Sequence, residues 1–129
     1  VGCETALHIQ EGGATVSIVE LRNKIAADMD NISRMKLMHE LEEGKVGLYP
    51  STVLDKVDSG VGTLKNVSEG TCKEIPCDLV VIAVGSMSDR TLAEELYSRG
   101  IPAAVVGDAQ TIGKIGDTVR GGFDAVAML

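Results

Sequence analysis

The sequence predicts an α/β fold in which a parallel sheet carries a small antiparallel insert. Helix-like and strand-like patterns alternate from Gly2 to Tyr49, which is typical of crossovers between parallel strands. Short alternating stretches with glycine-containing turns fill residues 51–77 and are typical of a β-meander. Residues Asp78–Val84 (DLVVIAV) are nearly all apolar or β-branched, as expected for a strand buried on both faces.

The first predicted helix begins at Gly2 and ends near Gln10, because its apolar residues recur at helical spacing. The Gly-Gly pair that follows can supply the left-handed residue with which such helices end. Thr15–Val19 is β-branched at most positions and predicts a buried strand. Glu20 comes at the end of that strand.

A connection with mixed charges at Arg22, Lys24 and Asp28 leads to a second predicted helix. Asp30 or Asn31 can provide the N-cap of this helix. Apolar residues at helical spacing follow the cap.

Gly44 is predicted to end the second helix, and a short strand, Val46–Tyr49, follows. The three predicted strands of the meander are Ser51–Val57, Val61–Val67 and Gly70–Ile75. After the buried strand at residues 78–84, the expected elements are a helix at Arg90–Arg99, a strand at Ile101–Val106 and a helix at Lys114–Leu129.

Composition excludes several classes of protein. Hydrophobic residues make up 44% of the chain, which argues against disorder. The net charge of −7 argues against a nucleic acid or an anionic membrane as partner, since both need a basic face. No apolar run is long enough to span a bilayer. The three cysteines lack the spacing of a disulfide framework or a metal site, which favours a reducing cytoplasm and predicts no metal.

The first candidate site joins Gly2 to Glu20. The N–H groups that open a helix suit a pyrophosphate, and a carboxylate at the end of the next strand can accept both ribose hydroxyls of an adenosine. Glu20 lies 18 residues after Gly2, close to the roughly 20 expected in dinucleotide-binding βαβ units. The carboxylate would repel a 2′-phosphate and so favours NAD over NADP, although Arg22 could offset that repulsion. The competing interpretations are a plain turn glycine and a solvated surface charge.

The second half of such a unit is present, but its first strand and phosphate-binding turn are not. We therefore predict a Rossmann-like, three-layer parallel sheet whose first βαβ strand is missing, in a piece cut from a longer protein. Gly85 follows a strand end, where open α/β sheets bind ligands, and Gly107-Asp108 repeats the pattern with a carboxylate. A simple turn and a helix N-cap are the alternatives. We assign no catalytic residue, because no nucleophile or base has a partner at useful spacing.

Taken in order, four stretches resemble the C-terminal part of NADH:flavin oxidoreductases of the 2,4-dienoyl-CoA reductase, enoate reductase and trimethylamine dehydrogenase type. They are VGCETALHIQEGGATVSIVE, DNISRMKLMHELEEGKVGLYPSTVL, CDLVVIAVGS and VVGDAQTIGKIGDTVRGGFDAV. The resemblance implies an N-terminal barrel with FMN and an iron–sulfur cluster, and a C-terminal half in which an NAD(P) domain is inserted into an FAD domain. The parent would pass hydride from NAD(P)H to FAD and on to that barrel.

The resemblance also implies roles for individual residues. Gly2 matches the last glycine of the NAD(P) fingerprint, Glu4 the acidic residue near the nicotinamide, and Glu20 the ribose-binding position. Ala83-Val84-Gly85 matches the motif that ends the NAD domain, with Val84 where many relatives carry Thr.

Gly107 and Asp108 match the late motif whose aspartate holds the FAD ribityl chain, and the residues through Lys114-Ile115 would lie along the flavin. Residues 1–106 would therefore be the NAD(P) domain, with the meander insert at 51–77, and residues 107–129 would belong to the FAD domain.

The missing parts limit what the chain is expected to do alone. We expect weak NAD binding and no hydride transfer without the rest of the parent polypeptide. In the family fold the missing strand lies between Thr15–Val19 and Asp78–Val84, so we predict that Ala103–Val106 or a second copy of the chain, as a homodimer, fills its place. The alternative function is a stand-alone α/β nucleotide-binding or protein-interaction module without redox activity.

Overall fold

The computed structural model describes residues 1–127 and confirms the mixed α/β class. The chain divides into two units, the first ending at Ala83 and the second beginning at Val84. The first unit contains α1 (Gly2–Glu11), β1 (Ser17–Val19), α2 (Asn31–Glu43), β2 (Gly47–Tyr49), β3 (Thr52–Asp58), β4 (Val61–Asn66) and β5 (Cys72–Pro76). The second contains α3 (Thr91–Ser98), a 3₁₀ turn (Gly107–Ala109) and α4 (Ile115–Ala127).

The ends of α1 and α2 follow from local chemistry. Gly13 takes the left-handed conformation (φ 90°) just after α1, as predicted. Asp30 is the N-cap of α2, and its Oδ1 accepts hydrogen bonds from the N–H groups of Ile32 and Ser33. After α2 the left-handed residue is Lys45 (φ 55°), whereas Gly44 keeps a helical conformation.

The parallel part of the fold is the pair β1–β2. Ser17 lies opposite Gly47, and Val19 lies opposite Tyr49. Helix α1 packs against both α2 and β1. The core beneath these elements is formed by Leu37, Leu41 and Val46, so the helix–strand–helix–strand order predicted for this region is confirmed.

The predicted antiparallel meander is confirmed, in the order β3-β4-β5. Thr52 lies opposite Asn66, and Val61 lies opposite Pro76. Leu64 on the central strand is 2% exposed and forms the centre of this sheet's packing.

Two predicted strands do not form. Residues 78–84 have no strand conformation, and Ile82 and Val84 in this segment are 80% and 91% exposed. Residues 101–106 likewise form no strand, so Ala103–Val106 does not fill the place of the missing strand. A strand needs a neighbour for its backbone N–H and C=O groups, and neither segment pairs with one among the described residues.

The second unit is held by backbone and side-chain hydrogen bonds. The hydroxyl of Tyr97 donates to the carbonyl of Ala103 (2.9 Å), and Arg90 donates to the carbonyl of Gln110 (3.0 Å). Helix α4 is described as far as Ala127, and the last two residues of its predicted span lie outside the described residues. Within residues 1–127, no helix has the length and apolar character needed to cross a membrane.

Candidate functional site

Backbone hydrogen bonds fix the segment that follows β1. The N–H of Glu20 donates to the carbonyl of Tyr49 (3.0 Å), and the Glu20 carbonyl accepts from the N–H of Thr52 (2.9 Å). The Arg22 carbonyl accepts from the N–H of Ser51 (2.9 Å). Residues 20–22 are therefore tied to the end of β2 and to the start of the meander, at the carboxyl edge of the parallel pair.

One oxygen of the Glu20 carboxylate is held by contacts with Arg22. Its Oε1 accepts from the backbone N–H of Arg22 (2.9 Å) and lies 3.6 Å from the Arg22 Nε. Its Oε2 accepts no hydrogen bond from any residue that the structure describes, and the side chain is 27% exposed. One carboxylate oxygen thus remains available to hydroxyl donors from solution.

Arg22 is shared between two carboxylates. Its Nη1 donates to Oδ1 of Asp28 (2.8 Å), while its Nε faces Glu20. The hydrogen bond that Arg22 donates to Asp28, together with the negative charges of Asp28 and Glu20, raises the pKa of the Arg22 guanidinium. Sequence reasoning counted Asp28 only as part of a charged connection, because no helix or strand pattern links it to Arg22.

The start of α1 is closely packed. A Cβ added to Gly2 would lie 3.0 Å from the Cβ of Ala83, so only glycine fits at this point without a shift. The N–H groups of residues 2–4 have no intrahelical acceptor, since the helical ladder begins with the Thr5 N–H donating to the Val1 carbonyl. Glu4 is 3.1 Å from the Val1 amino group.

The pKa of the Cys3 thiol, in the first turn of α1, is raised. Partial burial raises the pKa of the Cys3 thiol, and the carboxylates of Glu20 and Glu4 act in the same direction, while the Val1 amino group opposes them. A helix start can lower a thiol pKa, but here burial is the larger influence and the pKa is raised. Helix α1 packs against β1, the strand that Glu20 follows.

The second unit holds the other predicted positions. Gly107 is left-handed (φ 64°), and a Cβ on it would lie 2.9 Å from Cγ2 of Thr118. Oδ1 of Asp108 accepts from the N–H of Gly113 (3.2 Å), which closes the loop before α4. A groove of about 330 Å³ beside this loop is lined by Asp108, Gly113, Lys114, Ile115, Thr118 and Val119.

Gly85 is also left-handed (φ 103°), with no heavy atom within 4 Å of an added Cβ. Its conformation requires glycine, and the space beside it is open. The structure thus gathers Gly2, Glu4, Glu20 and Arg22 in the first unit, whereas Gly85, Gly107 and Asp108 belong to the second.

Comparison with known proteins identifies the family. The sequence model of the family described as "Pyridine nucleotide-disulphide oxidoreductase" matches residues 1–106. The chain belongs to this family. This membership favours a redox flavoprotein over the stand-alone module considered from sequence.

Curated relatives of this pyridine nucleotide-disulphide oxidoreductase chain carry oxidoreductase names. It is 38% identical over 128 residues to a NADH oxidase of Thermoanaerobacter brockii, covering 95% of this chain and 19% of that protein. It is 31% identical to a bilirubin reductase of Mediterraneibacter gnavus, covering 100% of this chain and 20% of that protein. The chain therefore spans about a fifth of the length of the curated relatives it matches.

Solved structures support the fold of this pyridine nucleotide-disulphide oxidoreductase domain. Histamine dehydrogenase from Rhizobium sp. 4-9 superposes with a TM-score of 0.87 at 18% identity, over 100% of this chain and 21% of that one. The 6-hydroxypseudooxynicotine amine oxidase from Pseudomonas geniculata gives 0.84 at 18% identity, over 95% of this chain and 19% of that one. Both likenesses confirm the Rossmann-like prediction.

Proposed function

We propose that the first unit binds the adenosine half of a nicotinamide dinucleotide, with Glu20 as acceptor for the ribose hydroxyls. The observation that carries this proposal is the Glu20 carboxylate, which is fixed at the end of the strand that α1 packs against and has one oxygen that no described residue engages. A vicinal diol can donate two hydrogen bonds to such a carboxylate.

The start of α1 fits the pyrophosphate of the same ligand. The N–H groups of residues 2–4 lack intrahelical acceptors, and the helix dipole adds partial positive charge there. Gly2 allows this end of the helix to pack closely against Ala83. Glu4, on the first turn, would lie on the nicotinamide side.

Charge favours NAD over NADP at this site. Glu20 and Asp28 place two carboxylates around one guanidinium, that of Arg22, which leaves a net negative charge where a 2′-phosphate would sit. We propose NAD(H) as the coenzyme on this ground.

In the second unit, we propose that Gly107, Asp108 and the loop through Lys114 contact FAD. The left-handed Gly107 and the groove beside Asp108 supply a close approach and a carboxylate for a polyol chain. Gly85, at the end of the nicotinamide domain, would offer a backbone that a cofactor can contact, because no heavy atom lies within 4 Å of an added Cβ. The corresponding domains are residues 1–106, with the insert 51–77, and residues from 107 onward.

The parent enzyme would pass hydride from NAD(P)H to FAD, and then electrons to a substrate domain with FMN and an iron–sulfur cluster. We assign no catalytic residue in this chain, so the chain alone is expected to bind but not to turn over. The three free cysteines suit a reducing cytoplasm.

We further propose that residues 78–84 become a strand when a missing segment of the parent, or a second copy of the chain, lies beside them. Their apolar and β-branched side chains are exposed here, which favours pairing with another strand. Amide exchange should be fast at these residues in monomeric chain and slow in the full-length parent. Fast exchange in both would contradict this proposal.

The dinucleotide proposal is tested by titrating NADH into the 129-residue chain and into two variants. Glu20→Gln keeps the size of the side chain but removes its charge, and should weaken binding about tenfold. Glu42→Gln, on the exposed side of α2, is the matched control and should bind like the wild type. Equal affinity for wild type and Glu20→Gln would refute the ribose role, and the lack of saturable binding in all three would refute the function.

A further inference from the structure

We propose that Asp28 determines coenzyme specificity by holding Arg22 away from a ligand's 2′-phosphate. The inference rests on the proposed dinucleotide site and deepens it, because it names the residue that sets the choice between a free and a phosphorylated 2′-hydroxyl. Glu20 excludes the phosphate by repulsion, and Asp28 does so by engaging the nearest cation.

Arg22 is the group that would otherwise bind the phosphate. It lies two residues after Glu20, and a guanidinium binds phosphate oxygens through paired N–H donors. Here Nη1 is bonded to Asp28 at 2.8 Å, and Nε faces Glu20 at 3.6 Å. Two of the three guanidinium nitrogens are therefore directed at carboxylates, and a phosphate would have to compete with Asp28 and Glu20 for them.

The loop that carries Asp28 is anchored on the core. Ile25 is 4% exposed, and its carbonyl accepts from Nε of Arg34 on α2 (2.8 Å). Ala26 takes a left-handed conformation (φ 52°), and its carbonyl accepts from the N–H of Met29 (3.2 Å). These contacts on both sides of Asp28 fix the backbone from which it reaches Arg22.

Stability does not explain this ion pair. The side chains of Arg22 and Asp28 are 50% and 83% exposed, and solvent-exposed ion pairs contribute little to folding. A charge pair beside a ligand nevertheless alters how the site discriminates between ligands of different charge. The position of the pair, next to the Glu20 carboxylate, makes specificity its main consequence.

The test uses adenosine and adenosine 2′-monophosphate as probes, because neither needs a pyrophosphate turn. Binding of each to the 129-residue chain is measured by NMR titration, and the ratio of the two dissociation constants is compared between variants. Asp28→Asn should raise the relative affinity for the 2′-phosphate about fivefold to tenfold. The double variant Arg22→Gln/Asp28→Asn should return the ratio to the wild-type value, and Glu42→Gln should leave it unchanged.

The possible outcomes separate the two proposals. If adenosine binds but Asp28→Asn leaves the ratio of the two dissociation constants unchanged, the role of Asp28 is refuted and the proposed dinucleotide site is not. A gain that persists in the double variant also refutes it, since it would come from lost repulsion and not from the released guanidinium. Absence of adenosine binding in every protein refutes the proposed function and this inference with it.

Discussion

The two units of the chain differ in what they bury. The buried residues of the first unit are Ala6, Ile25, Leu37, Leu41, Val46, Thr52, Gly62 and Leu64. Among the described residues of the second unit, none is buried to this extent. Its helix α4 instead exposes an apolar stripe, with Ile115 85% and Phe123 73% exposed.

This difference separates a unit with its own core from one without. Burial of apolar surface is the main source of folding free energy, so the first unit should unfold cooperatively and the second should contribute little to that transition. The proposed adenosine site lies on the unit with the core. Three predictions probe the contrast.

The largest change in the free energy of unfolding is expected at the centre of the first unit. Leu41 is fully buried, and Leu41→Ala should lower the free energy of unfolding by about 3 kcal/mol, because it removes apolar contacts and leaves a cavity. Val119→Ala on α4, where the side chain is 67% exposed, is the matched control and should change it by less than about 0.5 kcal/mol. Urea denaturation followed by circular dichroism measures both. Equal losses would show that the second unit shares the core.

Smaller changes in stability are expected at two aspartates whose carboxylates accept hydrogen bonds from the first residues of a helix. Hydrogen bonds from Ser33 and Ile32 lower the pKa of Asp30, and those from the Thr91 hydroxyl and N–H lower the pKa of Asp89. A lowered pKa gives stability that is present above the unfolded value and is lost as pH falls through the folded value. Asp30→Ala should therefore lower the Tm at neutral pH and reduce its dependence on pH in the acid range, whereas Asp89→Ala should only fray α3.

Asp30→Ser is the control, since serine keeps the cap without a charge at neutral pH. Asp30→Ser should have a Tm at neutral pH close to that of the wild type. Its Tm should also depend less on pH in the acid range, because the Asp30 carboxylate is gone. Thermal melts at several pH values test this pair. A fall in Tm for Asp89→Ala as large as for Asp30→Ala would contradict the contrast between the units.

The smallest effect is a gain in stability after α2. Lys45 holds a left-handed conformation that glycine adopts without strain, so Lys45→Gly should raise the free energy of unfolding by about 0.5–1 kcal/mol. Lys36→Gly, in the helix interior, should lower it by a similar amount. Urea denaturation measures both changes. A lower free energy of unfolding in Lys45→Gly would contradict the view that the left-handed conformation of Lys45 is strained.

Local patterns predicted the elements whose partners lie nearby in sequence. The helices, the β1–β2 pair and the meander follow from periodicity, from the Asp30 cap and from turns, and the neighbour of each strand is present. Residues 78–84 have the composition of a central strand but no partner among the described residues, so composition alone misled. The site that joins Glu20 to the start of α1 was predicted from their separation in sequence and stays a prediction. The Arg22–Asp28 pair was not predicted, because it depends on how one loop folds back.

The most direct test of the account is NMR mapping of NAD⁺ binding on the ¹⁵N-labelled chain. The amide signals of Cys3, Glu4, Glu20 and Arg22 should shift together with one dissociation constant, since one ligand would bridge the helix start and the strand end. Shifts confined to other residues, or different constants for the α1 and Glu20 groups, would contradict a common adenosine site.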